Sequence, residues 1–516
     1  MLSEPSLWGL VAARAEQSPD AEMLVDQDGR RVTFGAYKHQ VEVMAAGLHD
    51  LGVSPGHVVS WELPTWIETV VLAAALSRLG AVQNPIIAIY RSREVGFCCR
   101  QANTTLLLTP GEFRGFDFGA MASDLADEID DLQAMVVAPG AFPAGDPQSL
   151  PAVVADDGTA LRWLCYTSGT TSDPKGAKHT DRSVDVIGRS MGERLQVDEG
   201  DRPALVFPFP HIGGITWLFT SLQFGAALLL DEAFDPATTI PLLSRERCTH
   251  AGAGTPFHMA YLAAQRRRPD TPLFPALKNC PGGGAPKPPT LHADVKAELG
   301  GTGVVSGWGL TEAPILTMGA ATDPDDKLAS TEGRPMPGVE LRVVAVDGAV
   351  VGPGVEGELR AKAPQRMLGY LDSSLDAEAF DSDGWFRTGD LGVIDDDGYV
   401  TITGRLKDVI IRNGENISAK EVEDILFTHD AIADVAVVGL ADDLTGERAC
   451  AAISLVEGAA APSLEALAAF LTDAGLRRNA IPEQLVVVDA VPRNPSGKIT
   501  KNALQDDLRD IPFSRA

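Results

Sequence analysis

The segment Tyr166-Thr-Ser-Gly-Thr-Thr-Ser-Asp-Pro-Lys-Gly176 carries more information about this chain than any other. It follows an apolar run at residues 161–165 that predicts a strand, and it is rich in hydroxyl side chains and glycine. Glycines let backbone N–H groups turn toward a ligand, hydroxyls donate to phosphate oxygens, and Lys175 adds a positive charge. No Gly-Lys-Ser/Thr run occurs, so this is not a Walker A loop. The segment predicts a phosphate-binding loop; the alternative is a Ser/Thr-rich turn without a ligand.

Strand and helix patterns alternate on both sides of this loop. Residues 41–51 and 68–79 have the apolar spacing of helices, and residues 58–63 have that of a strand. Short apolar runs between turn signals continue the pattern at residues 204–207, 226–230, 250–253 and 304–305. This alternation predicts a doubly wound, mainly parallel α/β body.

The pattern changes after about Thr331. Strands are predicted at residues 341–346, 357–361, 391–394 and 399–403, and Asp-Gly turns at 347–348 and 397–398 indicate antiparallel hairpins. From about Leu406 a smaller α+β unit is predicted. Its helices are expected at residues 419–427, 464–474 and the C-terminus, and its strands at 434–439, 450–456 and 485–488.

Length and charge limit the possible functions. A chain of 516 residues is too long for one hydrophobic core, so two or more domains are expected. The formal net charge of −28 repels nucleic acid and anionic membrane surfaces. A phosphate ligand must therefore be held by a few focused cationic groups rather than by a broad basic face.

Cysteine usage and apolar run lengths predict the compartment. The six cysteines form no CxxC pair and the nine histidines no HxH or HExxH spacing, which argues against a zinc site or a disulfide framework. The N-terminal segment has no basic leader, and the apolar stretch at residues 69–76 is stopped by Arg78. No run approaches the roughly 18 apolar residues of a spanning helix. The expectation is a cytoplasmic protein without a transmembrane segment or a nucleic-acid partner.

Further segments occur in a fixed order along the chain. They are Phe207-Pro-Phe-Pro-His-Ile-Gly-Gly214, Pro281-Gly-Gly-Gly-Ala-Pro286, Gly307-Trp-Gly-Leu-Thr-Glu312, Trp385-Phe-Arg-Thr-Gly-Asp-Leu391, Gly404-Arg-Leu-Lys-Asp-Val-Ile-Ile-Arg-Asn-Gly-Glu-Asn-Ile417 and Pro492-Arg-Asn-Pro-Ser-Gly-Lys498. Together with the loop at 166–176, they resemble the motifs of the adenylate-forming superfamily: acyl-CoA synthetases, peptide-synthetase adenylation domains and firefly luciferase. The resemblance covers essentially the whole chain and favours the acyl-CoA synthetase branch.

The resemblance implies the architecture. It predicts a large N-terminal domain at residues 1–405, built from doubly wound α/β subdomains and a β-rich subdomain. A hinge at residues 406–407 would join it to a mobile α+β domain at residues 408–516. The oligomeric state, monomer or homodimer, is left open.

Several motif residues have two interpretations. Glu312 follows a strand-like stretch, where open α/β sheets bind ligands, and a carboxylate there can hold Mg²⁺; the alternative is a helix N-terminus with Thr311. Trp308 offers a flat face for a base, and the alternative is a core aromatic. The family usually has Tyr at this position, just as it commonly has Gly where this chain has Ser172.

The sequence leaves two possible roles for each of four further residues, Asp390, Arg405, His211 and Lys498. Asp390 can accept hydrogen bonds from ribose hydroxyls, with Arg405 as a second contact, or both can be solvated loop charges. His211 is a structural polar group unless the resemblance places it beside a substrate carboxylate. Lys498 would be an exposed lysine in most proteins, and only the resemblance makes it catalytic.

The resemblance implies ATP, Mg²⁺ and coenzyme A as ligands, with a small carboxylic acid as substrate. The implied catalytic residues are Thr167, Lys175, Glu312 and Lys498, with Glu312 holding the metal. The implied nucleotide and cofactor contacts are Thr167, Ser168, Gly169, Thr170, Thr171, Lys175, Gly283, Gly284, Ala285, Gly307, Trp308, Gly309, Thr311, Asp390, Arg405, Lys407, Gly414 and Lys498. The implied acyl pocket contains His211, Ile212, Gly213, Gly214, Thr216, Gly284 and Gly309.

The family's reaction has two steps. The carboxylate attacks the α-phosphate of ATP to give an acyl-adenylate and pyrophosphate, and a thiol then expels AMP. In the family the small domain rotates between the steps about the residue corresponding to Lys407. Rotation would move Lys498 out of the site and bring the Asn413-Gly-Glu415 loop in.

Three functions compete at this stage. The first is an acyl-CoA synthetase acting on a bulky apolar acid: a medium- or long-chain fatty, alicyclic, aryl or steroid side-chain acid. The second is an adenylation enzyme serving a carrier protein; its amino-acid-activating members usually carry an Asp in the pocket segment, where this chain reads Phe-Pro-His. The third is a non-catalytic nucleotide-binding protein, which would be expected to lose Lys175, Glu312 or Lys498, and all three are present.

Overall fold

A computed structural model describes the fold of the protein. It covers residues 1–153, 156–167, 174–283, 287–413, 415–442, 444–493, 498–509 and 511–513.

The helices of the described residues are α1 Leu7–Gln17, α2 Phe34–Asp50, α3 Ile67–Leu79, α4 Ser92–Ala102, α5 Phe118–Glu128, α6 Asp181–Leu195, α7 Ile212–Phe224, α8 Thr239–Arg245, α9 Thr255–Arg266, α10 Leu291–Glu298, α11 Asp325–Ser330, α12 Asp376–Ala379, α13 Ala419–Leu426, α14 Leu464–Asp473 and α15 Lys501–Arg509. The strands are β1 Glu22–Val25, β2 Arg31–Thr33, β3 Val58–Trp61, β4 Val82–Pro85, β5 Leu106–Thr109, β6 Glu112–Phe113, β7 Phe116–Asp117, β8 Gln133–Val136, β9 Leu161–Thr167, β10 Lys175–Thr180, β11 Ala204–Leu205, β12 Leu228–Leu230, β13 Cys280–Gly283, β14 Val304–Trp308, β15 Thr317–Met318, β16 Arg334–Pro335, β17 Glu340–Val344, β18 Val350–Val351, β19 Gly357–Lys362, β20 Phe386–Ile394, β21 Val400–Arg405, β22 Val409–Arg412, β23 Glu415–Ser418, β24 Ile432–Asp442, β25 Gly446–Leu455 and β26 Gln484–Val487.

The first subdomain is built on a six-stranded sheet in the order β10-β9-β4-β3-β5-β8. Its strands are parallel except for β10, which pairs antiparallel with β9. Strands such as β5, Leu-Leu-Leu-Thr, are buried along their whole length, as expected for a parallel sheet covered on both faces. The helix and strand predictions around residues 41–79 are confirmed by α2, β3 and α3.

A second sheet is completed by single-residue bridges. The strand groups β11-β12-β1-β2 and β13-β14-β15-β16 are linked through His250, which bridges Pro203 on one side and Asn279 on the other. The apolar run at residues 250–253 therefore takes part in the sheet ladder through His250 alone. The N–H of Gly252 turns back to the carbonyl of His250 (3.2 Å), so the ladder ends after a single residue.

The β-rich subdomain is an antiparallel sheet in the order β18-β17-β19-β20-β21. The two predicted Asp-Gly turns are confirmed. Gly348 and Gly398 take positive φ angles of 86° and 82°, which glycine adopts without strain. Strand β20 begins five residues earlier than predicted, at Phe386, and so contains Asp390 within the sheet.

The small α+β unit contains the strands β23-β22-β25-β24, with β26 added beside β25. Apolar side chains fill both faces of this sheet, against α13 and α14 on one side and α15 on the other. A short 3₁₀ turn, Leu406–Asp408, connects β21 of the large unit to β22. The mixed α/β class, with a large N-terminal and a small C-terminal domain, is confirmed.

Two further features concern the chain as a whole. All six cysteines are buried and unpaired. In the described ranges, no helix combines the length and the apolar character needed to cross a membrane.

Glu62, at the end of β3, provides a test of the packing. Its side chain is fully buried, and neither carboxylate oxygen has a hydrogen-bond partner. Burial raises the pKa of Glu62 well above its usual value, so the folded protein holds a proton that the unfolded chain releases above about pH 4.5. Stability is therefore expected to fall, by up to about 1.4 kcal/mol per pH unit, as pH rises through the window between the two pKa values.

Glu62→Gln removes this titration and keeps the shape of the side chain. The variant should be more stable than the wild type at pH 8, and the difference should shrink toward pH 4. Denaturant unfolding at several pH values measures this, with Glu128→Gln at an exposed carboxylate as the matched control. A constant difference across that pH range would contradict the buried neutral acid.

Candidate active site

The loop that opens the sequence analysis is carried by the β9–β10 hairpin. Thr167 and Lys175 are register partners at the end of these two antiparallel strands. The Lys175 ammonium lies 5.7 Å from the centre of the Tyr370 ring. The pairing brings Thr167 and Lys175 together at the two ends of the segment for which phosphate binding is predicted.

Glu312 lies just beyond the carboxyl end of β14. Its side chain is buried, and Oε1 accepts a hydrogen bond from the Tyr370 hydroxyl (2.8 Å). The preceding carbonyl, that of Thr311, accepts a hydrogen bond from His179 Nε2 (2.8 Å). Burial lowers the pKa of His179 to about 4, so this imidazole is a neutral donor that fixes the turn carrying Glu312.

Tyr370 is the functional candidate that sequence reasoning missed. Burial, followed by the charge of Glu312, raises the pKa of its phenol, which therefore stays protonated and donates to the carboxylate. Tyr370 lies between Lys175 and Glu312 in space but is far from both in sequence. Nothing in the local pattern around residue 370 signals this position.

Gly283 and Gly309 allow close backbone contacts. Gly283 has φ +148°, and a Cβ there would lie 2.1 Å from the carbonyl oxygen of Gly307 on the neighbouring parallel strand. A Cβ at Gly309 would lie 2.2 Å from the amide nitrogen of Ile315. Side chains at these two positions are therefore excluded by the protein itself, and contact of Gly283, Gly307 and Gly309 with a nucleotide stays a prediction.

Trp308 and Arg405 form one network around the buried carboxylate of Asp390. The Trp308 indole N–H donates to Asp390 Oδ2 (2.7 Å), and the Arg405 guanidinium binds Asp390 Oδ1 (2.8 Å). Asp390 and Arg405 are cross-strand partners on β20 and β21. Each carboxylate oxygen has a second lone pair, so Asp390 is oriented by two donors and can still accept two more.

Trp308 is mostly buried, with 7% of its surface exposed, among the apolar residues of the β-rich subdomain. Of the two interpretations of Trp308, the structure therefore favours a core aromatic over a ring that stacks on a base. Its polar N–H makes the specific contact with Asp390.

Lys498 of the small domain lies at this network. Burial, followed by the charge of Arg405, lowers its pKa, while the carboxylates of Asp390 and Glu312 act in the opposite direction. Partial burial and the charge of Arg405 likewise lower the pKa of Lys407, which also experiences the charge of Lys175. Four cationic side chains therefore converge beside two carboxylates in a chain of net charge −28.

His211 begins helix α7 as its N-cap. Its Nδ1 accepts the N–H of Gly213 (3.0 Å), which places the proton of the neutral ring on Nε2. Burial and the charge of Lys498 lower the pKa of His211 to about 4, so the ring is neutral at pH 7. His211 is thus a fixed, uncharged donor close to Lys498.

A narrow crevice opens beside His211. It has a cavity volume of about 20 Å³ and is lined by Pro85, Ile86, Ile87, Tyr90, Cys165, Tyr166, Pro210, His211, Ile212 and Thr311. The lining contains no carboxylate, lysine or arginine. An uncharged group that fits here would have its neighbouring carboxylate near His211 and Thr311.

The predicted pocket residues of α7 do not all face this crevice. Ile212 lines it, and a Cβ on Gly213 would lie 3.2 Å from His211 Nδ1 and 3.4 Å from the Phe207 ring. A Cβ on Gly214 would instead lie 2.5 Å from the Phe209 carbonyl, so this glycine serves backbone packing. Thr216 is buried, and its hydroxyl donates to the carbonyl of Ile212 within the helix.

Some predicted site residues lie outside the described part of the chain. They are Ser168, Gly169, Thr170, Thr171, Gly284, Ala285 and Gly414, together with Ser172. The neighbours of Gly414 are described: the Asn413 N–H donates to the Thr445 carbonyl, and Glu415 bonds Asn479, both within the small domain.

Comparisons with known proteins agree with this geometry. Residues 11–371 match the model of the AMP-binding enzyme family, and residues 421–498 match that of the AMP-binding enzyme C-terminal domain. The medium-chain fatty-acid–CoA ligase of Escherichia coli is 31% identical, with 98% of this chain and 92% of the relative covered. The salicyl-AMP ligase/salicyl-S-ArCP synthetase of Mycobacterium tuberculosis is 31% identical, with coverages of 96% and 89%.

A solved structure extends the likeness to the fold. The o-succinylbenzoate CoA synthetase of Bacillus subtilis, in complex with its acyl-adenylate intermediate, superposes with a TM-score of 0.85. It is 26% identical, and the match covers 100% of both chains. The chain belongs to the AMP-binding enzyme family within the adenylate-forming superfamily, and it is an ATP-dependent, AMP-forming ligase.

Proposed function

We propose that this protein is an acyl-CoA synthetase that activates an apolar carboxylic acid with ATP and transfers the acyl group to coenzyme A. The observation that carries the proposal is the convergence of Lys175, Arg405, Lys407 and Lys498 on the two carboxylates Glu312 and Asp390. A carboxylate attacking a triphosphate brings two anions together. Preorganised cations at that point offset their repulsion and stabilise the charge that develops on the α-phosphate.

The residues present suit a magnesium ion. Among the described residues, no group of three or more His, Cys, Asp or Glu side chains is arranged to hold a metal. Mg²⁺ with ATP usually binds one or two carboxylates and completes its shell with phosphate oxygens and water. Glu312, held by Tyr370 through one oxygen, offers such a carboxylate, and the ion would neutralise phosphate charge there.

His211 and Lys498 have complementary roles at the substrate carboxylate. Nε2–H of His211 donates a hydrogen bond without adding charge, because its ring is neutral at pH 7. Lys498 adds the positive charge at the attacking carboxylate and the α-phosphate. His211 therefore orients the acid, and Lys498 stabilises the transition state.

The crevice supports an uncharged acyl group. Its lining carries no carboxylate, lysine or arginine, so a second carboxylate or an ammonium group on the acid would find no ion-pair partner there. Fatty, alicyclic, aryl and steroid side-chain acids all satisfy this condition. The fatty-acid–CoA ligase relative favours the first of these, and we propose a medium-chain or bulkier apolar acid as substrate.

A panel of acids tests the proposal. Octanoate, cyclohexanecarboxylate, benzoate and a steroid side-chain propanoate are incubated with ATP, Mg²⁺ and coenzyme A. At least one should give AMP, pyrophosphate and a thioester of the expected mass. ADP as the nucleotide product would overturn the proposal.

The alternative acyl acceptor is the phosphopantetheine arm of a carrier protein. The salicylate-activating relative favours it, because the acceptor in its name is S-ArCP. Adenylate formation without CoA thioester, followed by acylation of a carrier protein bearing phosphopantetheine, would support this function instead.

Trp308→Phe tests the ribose side of the site. The variant keeps an aromatic ring but loses the N–H that orients Asp390, so KM for ATP should rise about 10-fold with little change in kcat. With 3′-deoxyATP, which has one fewer hydroxyl for Asp390, the difference between variant and wild type should shrink.

Trp385→Phe is the control for the loss of an indole. Trp385 lies beneath Arg342 and Lys362, away from Asp390. An equal loss of affinity for ATP and 3′-deoxyATP in Trp308→Phe would assign Trp308 to packing or base stacking.

A further inference from the structure

The junction between the two domains contains a hydroxyl with two roles. Ser418 is the N-cap of α13, the first helix of the small domain, and its Oγ accepts the N–H of Glu421 (3.3 Å). The same hydroxyl donates to the carbonyl of Thr403 in β21 of the large domain (2.7 Å). A serine hydroxyl has one donor and two acceptor positions, so both bonds can exist together.

Thr403 is available for this bond because of a bulge at the sheet edge. In β21, Gly404 pairs with Leu391 and Ile402 pairs with Gly392, so the register skips Thr403. Strand β21 is the last strand of its sheet. An unpaired residue on an edge strand leaves a carbonyl without a ladder partner, and Ser418 occupies it.

Opposite charges of the two domains lie near each other on the same side of the junction. The backbone N–H of Glu332 donates to the carbonyl of Val400 in β21, which holds Glu332 against that strand (2.7 Å). Burial raises the pKa of the Glu332 carboxyl, while the charges of Lys287 and of Lys420 on α13 act in the opposite direction. Asp424, paired with Lys420, is the other acid facing this group. The first turn of α13 is thus held to the large domain by Ser418 and lies near an opposite charge.

We propose that Ser418 is a positioning residue for adenylate formation: its bond to Thr403 holds the small domain in the orientation that presents Lys498 to Glu312 and Asp390. Ser418 contacts no substrate and acts through Lys498. The inference rests on the proposed function, because it assigns Ser418 to the first of the two half-reactions.

Four variants separate the interdomain bond from the helix cap. Ser418→Ala removes both bonds. Ser418→Asp keeps a good N-cap but has no hydroxyl to donate to Thr403. Ser418→Thr keeps the hydroxyl. Ser463→Ala removes the equivalent cap of α14, where the Ser463 hydroxyl accepts the N–H of Ala466 (3.2 Å) and bonds the Glu465 side chain, both within the small domain.

The rates of the two half-reactions are measured separately for each variant. The substrate is the acid of the panel that gives the fastest AMP release with the wild type. Ser418→Ala and Ser418→Asp should slow pyrophosphate release in a single turnover about 5- to 10-fold, the scale of one net hydrogen bond. Ser418→Thr should restore the rate to within about two-fold, and Ser463→Ala should match the wild type. All four should convert supplied acyl-adenylate and coenzyme A to thioester at the wild-type rate.

The outcomes distinguish this inference from the proposed function. A wild type that releases no AMP with any acid overturns the proposed function itself. A wild type that does release AMP, with Ser418→Asp as fast as wild type or slowed equally in both half-reactions, overturns the positioning role alone. Because Ser418→Asp retains the cap, the test stands even if Ser418→Ala fails to fold.

Discussion

Lys498→Ala is expected to slow adenylate formation by about 10²- to 10³-fold, as removal of a preorganised donor to developing charge does in other enzymes. The ammonium of Lys498 lies among Arg405, Asp390 and Glu312, close enough for their charges to affect its pKa. It is the one member of this cation cluster that comes from the C-terminal segment of the small domain. Its loss would leave the attacking carboxylate and the α-phosphate without this charge, while the charge of Lys175 remains.

Single-turnover kinetics on each half-reaction measure this effect. The same variant should still convert supplied acyl-adenylate and coenzyme A to thioester, since that step forms no bond between two anions. Lys498→Arg keeps the charge and should lose less than Lys498→Ala. Equal slowing of both half-reactions would show that Lys498 contributes to both steps, and would contradict its assignment to adenylate formation alone.

Glu312→Gln should have the second largest effect. The amide can still accept the Tyr370 hydroxyl bond, so the fold around residue 312 is preserved, but the negative charge is gone. We expect the Mg²⁺ concentration for half-maximal activity to rise at least about 10-fold, and the rate at saturating Mg²⁺ to fall as well. A titration of Mg²⁺ at fixed ATP measures both quantities.

Tyr370→Phe is the matched control for this prediction. It removes the hydrogen bond that Glu312→Gln keeps and leaves the carboxylate charge in place, so its Mg²⁺ dependence should stay near that of the wild type. An unchanged Mg²⁺ requirement in Glu312→Gln would show that the metal is held elsewhere. A shift in Tyr370→Phe as large as that in Glu312→Gln would show that the orientation of the carboxylate, and not its charge alone, sets the Mg²⁺ requirement.

Local sequence pattern predicts the elements of this fold well where apolar spacing is regular. Helix α3 and strand β3 follow directly from the runs around residues 58–79, since burial dictates which positions are apolar. The apolar run at residues 250–253 contributes only one residue to the sheet ladder, because apolar residues alone do not reveal where a backbone leaves a sheet. There, the N–H of Gly252 bonds back to the carbonyl of His250, and only one residue bridges the two strand groups.

The motifs predict which residues matter but not how they contact each other. Asp390 and Arg405 are separated by a hairpin, and their pairing depends on the register of β20 and β21, which includes a bulge. The bond from Trp308 to Asp390 joins residues 82 positions apart. Tyr370 reaches Glu312 across 58 positions without any motif of its own. Such contacts depend on how sheets pack, which no local pattern encodes.

The sequence also does not show which of two adjacent glycines faces the acyl pocket. Gly214 was expected to widen the acyl pocket, yet a Cβ there would meet the backbone of Phe209. Gly213, one residue earlier, faces Phe207 and His211. Adjacent helical positions point about 100° apart, so a small-residue pair predicts a close approach without saying which glycine faces the ligand.

The most direct test of the central claim follows an oxygen atom. The panel acid that supports AMP release is labelled with ¹⁸O in its carboxylate, and the AMP formed in a single turnover is examined by mass spectrometry. Attack of the carboxylate on the α-phosphate, followed by thiol displacement at the acyl carbon, predicts one ¹⁸O in the phosphate of AMP. Unlabelled AMP, or label in inorganic phosphate released together with ADP, would contradict activation through an acyl-adenylate.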